Sequence, residues 1–107
     1  MIGVNVSFQY EGSFDRARVI GIADQARARF EGMPGLRFKF FTFDESAERA
    51  TSFYVWDSKE AALEFFSDEL REQVTSLYGV EPTIEFVEIA QIVDNSAAVS
   101  RPAPSMA

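Results

Sequence analysis

Residues 2–10, IGVNVSFQY, alternate between apolar and polar side chains. Ile2, Val4, Val6, Phe8 and Tyr10 fall on one face and Gly3, Asn5, Ser7 and Gln9 on the other, the two-residue period of a strand. The turn EGSFD follows, with Gly12 and a helix N-cap at Ser13 or Asp15. From 15 to 32 the period lengthens: Val19, Ile20, Ala23, Ala26 and Phe30 recur at three- and four-residue steps, as on one face of a helix. Gly32 and Pro34 close it. GLRFKFFTF (35–43) alternates again, DESAER makes a polar hairpin loop, and ATSFYVWD (50–57) is a third strand. A second helix, with Asp57 and Glu60 as a capping box, carries an apolar stripe of Ala62, Phe65, Phe66, Leu70, Val74 and Leu77 and ends at Gly79. TIEFVEIAQIV (83–93) is a fourth strand.

This β-α-β-β-α-β order is the ferredoxin-like split arrangement, an α+β fold with four antiparallel strands and both helices on one face. One domain is expected over 1–94. The tail 95–107, DNSAAVSRPAPSMA with the residue before it, is small, polar and proline-bearing, and is expected to be disordered.

Hydrophobic pattern also suggests a register. Phe40 pairs with Phe53 and Phe38 with Val55, which with Leu36 form an apolar set fit to lie under the helices. Lys39 then pairs with Tyr54, Arg37 with Trp56 and Phe41 with Ser52 on the second face. Val4, Val6 and Phe8 go under the helices, and Asn5 and Ser7 join the face of Lys39, Tyr54 and Trp56. An exposed face this rich in aromatic groups suggests a partner or a ligand groove. The expectation is a homodimer enclosing a largely apolar pocket with a few polar groups.

Composition narrows the chemistry. The chain of 107 residues carries a net charge of −7 and has a pI near 4.5, which argues against nucleic acid and against an anionic membrane surface as partners. No apolar run approaches spanning length, and a cytoplasmic protein is expected. Cysteine and histidine are both absent. The usual zinc, copper and haem ligands are therefore missing, as are Ser–His and Cys–His nucleophile pairs and the commonest neutral-pH base. None of the six glycines sets up a phosphate loop. The arginines of the first helix read as a solvated face. Asp44, Glu45 and Glu48 lack the spacing of a calcium loop and read as solvated too. No metal site and no cofactor are expected.

The segments FQYEGSF (8–14), PGLRFKFFTFDESAERATSFYVWDSKEAA (34–62) and YGVEPTIEFVEI (78–89) resemble the small YdhR-type mono-oxygenase-like family of the dimeric α/β-barrel superfamily, related to antibiotic-biosynthesis mono-oxygenases. The resemblance implies the same fold and a homodimer. The haem-degrading branch of that superfamily is matched at Asn5 and Trp56 but needs a histidine on the next helix, where this chain has Phe65 or Phe66. The quinone-forming branch needs neither metal nor flavin, because its electron-rich aromatic substrates react with oxygen once deprotonated. It implies a dry pocket that supplies hydrogen bonds and orientation.

The candidate catalytic set is Asn5, Trp56, Tyr54 and Lys39, with Ser7, Arg37 and Phe41 as substrate contacts. Each has a structural alternative. Trp56 either seals a dimer seam or walls a pocket. Lys39 either snorkels at a rim or, with its pKa lowered by burial, holds an oxyanion or acts as a base. Two functions follow: a cofactor-independent oxygenase for a small aromatic or quinol-like compound, or a non-catalytic dimer that binds a small apolar molecule or serves in assembly.

Overall fold

The computed structural model describes residues 1–96; most of the expected tail, from 97 onward, lies outside the described residues. The elements are β1 (Ile2–Gln9), α1 (Arg16–Phe30), β2 (Leu36–Asp44), β3 (Arg49–Trp56), α2 (Lys59–Phe65), α3 (Asp68–Tyr78) and β4 (Thr83–Glu88). The strands form one antiparallel sheet in the order β2-β3-β1-β4, and the helices cover one face of it. This is the expected ferredoxin-like α+β fold. Among the described residues no helix is long and apolar enough to cross a membrane.

Local chemistry sets the helix ends. The Asp15 carboxylate caps α1 by accepting from the Arg18 N–H, one of the first-turn donors a helix leaves unpaired. The second helix is two helices rather than one. Ser58 caps α2, accepting from Ala61, and the chain leaves helical geometry at Phe66 (φ −86°, ψ 64°). Ser67 then caps α3, with Asp68 and Glu69 in its first turn. The run Ser67-Asp68-Glu69 is itself a helix-start signal, since a hydroxyl cap and two acids favour the positive end of a helix. Gly79 ends α3 in the left-handed region (φ 83°) and donates to the Thr75 carbonyl, where a side chain would be strained.

The core lies between sheet and helices. Val4, Phe8 and Trp56 are the largest fully enclosed side chains. The Phe8 ring stacks on Tyr78 at 3.7 Å, and the Tyr10 hydroxyl donates to the Tyr78 carbonyl at 2.7 Å. Together they fix the end of α3 to the end of β1.

The pairings Phe38–Val55, Lys39–Tyr54, Phe40–Phe53 and Phe41–Ser52 are as expected, but the faces are reversed. β1 pairs with β3 so that Val4 lies opposite Tyr54 and Ile2 opposite Trp56. Directly opposed residues share a face, so Tyr54, Trp56, Lys39 and Phe41 lie under the helices with Val4, Val6 and Phe8. Phe38, Phe40, Phe53 and Val55 lie on the open face with Gly3, Asn5 and Ser7. A register shift between Leu36 and Phe38 puts Leu36, not Arg37, opposite Trp56. The extra residue is Arg37, as in a bulge.

Both faces of β2 and β3 are apolar, so hydrophobicity alone could not choose between them; the cross-strand register with β1 does. The open face is only partly covered: Phe40 is 52% and Val87 46% exposed. On this face Gly3 matters. A Cβ there would come 2.7 Å from the Phe53 ring and 3.0 Å from a Val87 methyl, so the absent side chain lets the Phe53 ring lie across β1.

Candidate functional site

Lys39 and Tyr54 face each other across the β2–β3 ladder, beneath the last turn of α1. The Lys39 Nζ donates to the Tyr54 hydroxyl at 2.8 Å. It also lies 3.4 Å from the centre of the Phe30 ring and 4.2 Å from those of Phe41 and Tyr54. Phe30 is the final residue of α1, and the chain then turns away through Gly32 (φ 71°). Tyr54 in turn packs edge-on against Phe66 (4.9 Å) and stacks near Trp56 (6.1 Å).

Burial, with Arg29 nearby, pulls the Lys39 ammonium down from 10.5 to about 7. The aromatic faces act in the opposite direction, since ring quadrupoles favour a cation, but no carboxylate among the described residues pairs with Lys39. Tyr54 is shifted the other way: burial, with Tyr78 adding to it, raises its phenol well above the usual range. The pair is thus an amine poised near neutrality beside a hydroxyl that keeps its proton, the kind of divergence that marks acid–base sites.

Behind this pair a cavity of about 50 Å³ lies between sheet and helices, bordered by Ser52, Tyr54, Phe65, Phe66 and Tyr78. The titratable residues on its lining are Lys39, Arg29, Arg71, Tyr54 and Tyr78, with no acid among them, although the chain is acidic overall. Outside, an open groove of about 270 Å³ runs beside Arg27, Gly32 and Arg37. Phe30, Lys39 and Phe41 border both spaces and form the partition between them.

Of the residues expected from sequence, Lys39, Tyr54 and Phe41 meet at the cavity. Trp56 stacks behind Tyr54, is 2% exposed and borders a shallow depression with Met33, Pro34 and Ala61. Its indole N–H is buried without a partner, an unmet donor in an otherwise apolar setting. Arg37 sits at the bulge, paired with Asp57 at 3.4 Å. Asn5 and Ser7 are on the other face, where Asn5 donates to the Ser7 hydroxyl at 3.3 Å. Within one chain they do not join the cavity. Phe30, Phe65 and Phe66 also belong to the site, as their places on the apolar stripes of the helices suggest. Arg29, read from the sequence as part of a solvated helix face, borders the cavity as well.

No protein-family model matches the chain, and no curated protein matches it in sequence. Solved structures do share the fold. A monooxygenase from the gene ActVA-Orf6 of Streptomyces coelicolor, in complex with nanaomycin D, superposes with a TM-score of 0.66 at 19% identity over 89% of this chain and 92% of that one. SnoaB, a cofactor-independent oxygenase from Streptomyces nogalater, gives 0.62 at 14% identity over 86% and 95%. Rv0793 from Mycobacterium tuberculosis gives 0.63 at 11% identity over 87% and 98%. Structural neighbours of this chain include proteins described as antibiotic-biosynthesis monooxygenases, and at these identities the likeness is one of fold.

Proposed function

We propose that this protein is a cofactor-independent mono-oxygenase acting on a small aromatic or quinol-like compound, and that the reaction takes place at the Lys39–Tyr54 pair. The observation that carries this reading is a poised amine hydrogen-bonded to a protonated phenol inside an aromatic, acid-free cavity. The oxygenase neighbours support it through the shared fold.

The chemistry suits substrates that react with oxygen once ionised. The Lys39 amine takes a proton from the substrate, and the resulting ammonium holds the oxyanion. The electron-rich anion then reduces oxygen. For a methylene between two aryl rings, one oxygen atom becomes the new carbonyl and the other leaves with the two hydrogens as water, so no outside reductant is needed. Tyr54 donates a hydrogen bond to the developing oxygen anion. The Trp56 N–H is a further donor for a substrate oxygen if the ring stack opens. Movement of the Phe30–Phe41–Lys39 partition would join cavity and groove. The joined space reaches the lower end of small-molecule pockets, roughly 300 Å³.

A homodimer belongs to this proposal. Phe38, Phe40 and Val87 leave an apolar open face suited to a second copy, and Asn5 and Ser7 would then face the partner. The small volume of the inner cavity favours the second reading, a non-catalytic dimer that binds a small apolar molecule or serves in assembly. Oxygen uptake with panels of anthrones and hydroquinones decides between them. The oxygenase reading predicts turnover that falls at least about tenfold in Lys39→Met, in line with loss of a positioned base. No turnover across the panel, or turnover indifferent to that substitution, refutes it.

A further inference from the structure

We propose that the Lys39 side chain is also a nucleophile toward carbonyl compounds, capturing small aromatic aldehydes as an imine with Tyr54 as the proton donor. This goes beyond oxygen chemistry: it uses the same two side chains but needs neither oxygen nor an ionisable substrate.

Three features of the structure carry it. First, among the described residues Lys39 has no carboxylate partner, and its one hydrogen-bond partner there is the Tyr54 hydroxyl at 2.8 Å. Most lysines are unreactive because they are protonated and hydrated, whereas desolvated ones next to another cation become nucleophiles. Here the other cation is Arg29, and the direction of the Lys39 shift agrees. Second, the rings of Phe30, Phe41 and Tyr54 surround the nitrogen at 3.4–4.2 Å. They offer faces for an aryl group and keep water from the bond once it is made. Third, Lys39 stands in the partition and borders the open groove as well as the inner cavity, so a small aldehyde can reach it from outside.

The bookkeeping closes without any co-reactant. The amine lone pair forms the C–N bond while the carbonyl π electrons move to oxygen, and a proton passes from nitrogen to that oxygen. The carbinolamine hydroxyl then leaves as water with the Tyr54 proton while nitrogen completes the C=N bond. The remaining N–H proton returns to the tyrosinate. A tyrosine 2.8 Å from the nitrogen is within reach of the carbinolamine oxygen, which hangs on the adjacent carbon. Its raised pKa means it is protonated whenever it is needed.

The chain contains only two lysines, Lys39 and Lys59, and the exposed Lys59 at the start of α2 is a built-in control. The 107-residue protein is incubated at pH 7 with benzaldehyde and sodium cyanoborohydride, and the digest is mapped by mass spectrometry. At pH 7 an amine of pKa about 7 is half unprotonated, against roughly one part in 2,500 for an ordinary lysine. The expected result is a benzyl adduct on Lys39 formed at least about tenfold faster than on Lys59, with a rate that rises through pH 7 and levels off above it. Tyr54→Phe is expected to slow the adduct without changing that pH midpoint.

Labelling of Lys59 or the N-terminal amine as fast as Lys39, or a Lys39 rate still climbing steeply at pH 9, overturns the proposal. The wild-type protein suffices for this comparison, so a variant that fails to fold cannot obscure it. Oxygen uptake on the same samples separates the two readings. Turnover without a Lys39 adduct refutes carbonyl capture alone, and an adduct without turnover supports it while refuting the oxygenase.

Discussion

Replacing Lys39 with methionine removes a charge while keeping an unbranched chain of similar length among three rings, and should make the variant gain stability relative to wild type as the pH falls. Lys39 falls from 10.5 to about 7 in the folded protein. Below pH 7 both states hold the proton, and the folded state bears the full cost of the buried ammonium. Between pH 7 and about 10.4 the unfolded chain binds more protons than the folded one, so stability rises with pH through that window. The ceiling over pH 6–9.5 is about 3 kcal/mol at 1.36 kcal/mol per pH unit. Lys39 is half-buried rather than sealed, so a discounted figure is about 1–3 kcal/mol. Methionine also leaves the Tyr54 hydroxyl without its partner, at a cost of roughly 1–3 kcal/mol that does not depend on pH below 10.

The informative quantity is therefore the difference between variant and wild type at pH 6 less the same difference at pH 9.5, from which the orphaned hydroxyl cancels. Thermal unfolding followed by circular dichroism reads it, since about 1 kcal/mol moves the midpoint by roughly 4–8 °C in a domain of this size. The variant should gain on wild type as the pH falls. A gap that is the same at both pH values, to within about 0.5 kcal/mol, refutes the buried amine.

On the open face, Gly3→Ala forces the Phe53 ring from its place, because the new methyl would lie 2.7 Å from it; urea unfolding should show a loss of roughly 1–3 kcal/mol, as for an overpacked site. Phe40→Asp puts a charge into the proposed seam between copies, at a side chain 52% exposed in the single chain, and should turn a dimer into a monomer by sedimentation velocity. A wild-type monomer at micromolar concentration would remove the dimer from the account. Burial raises Tyr10, Tyr54 and Tyr78, so their contribution is complete below pH 10 and is lost as the pH climbs through their folded values. With Lys39 acting the other way, these groups together should bring wild-type stability to a peak near pH 9–10, by the reference values of about 10.4 for lysine and 10 for tyrosine; a maximum below pH 7 would contradict the Lys39 shift.

The sequence made most of the element order legible because β1 and α1 each show one clear period; the caps were less so, since Ser58 rather than the expected Asp57 caps α2. The Phe38–Val55 and Lys39–Tyr54 pairings were legible too, since few registers align two such apolar runs. Which side of the sheet they faced was not. β2 and β3 carry large apolar groups on both faces, and a lysine and a tyrosine look like surface residues until their polar tips find partners. Lys39 and Tyr54 supply each other's partner, which is what allows both to lie under α1. The same reversal places Asn5 and Ser7 away from the cavity and explains why the Phe30, Phe65 and Phe66 rings belong to it. The break between α2 and α3 was visible in Ser67-Asp68-Glu69 but was masked by the continuous apolar stripe on either side.

The central claim is that a small aromatic ligand binds under the helices and not on the open face. Amide chemical-shift mapping with 1-methoxynaphthalene, an aromatic with no ionisable hydroxyl, tests this most directly. The account predicts saturable shifts at Lys39, Tyr54, Phe65 and Ser67, with Asn5, Phe40 and Val87 unmoved. Saturable shifts confined to Asn5, Phe40, Phe53 and Val87 would contradict it.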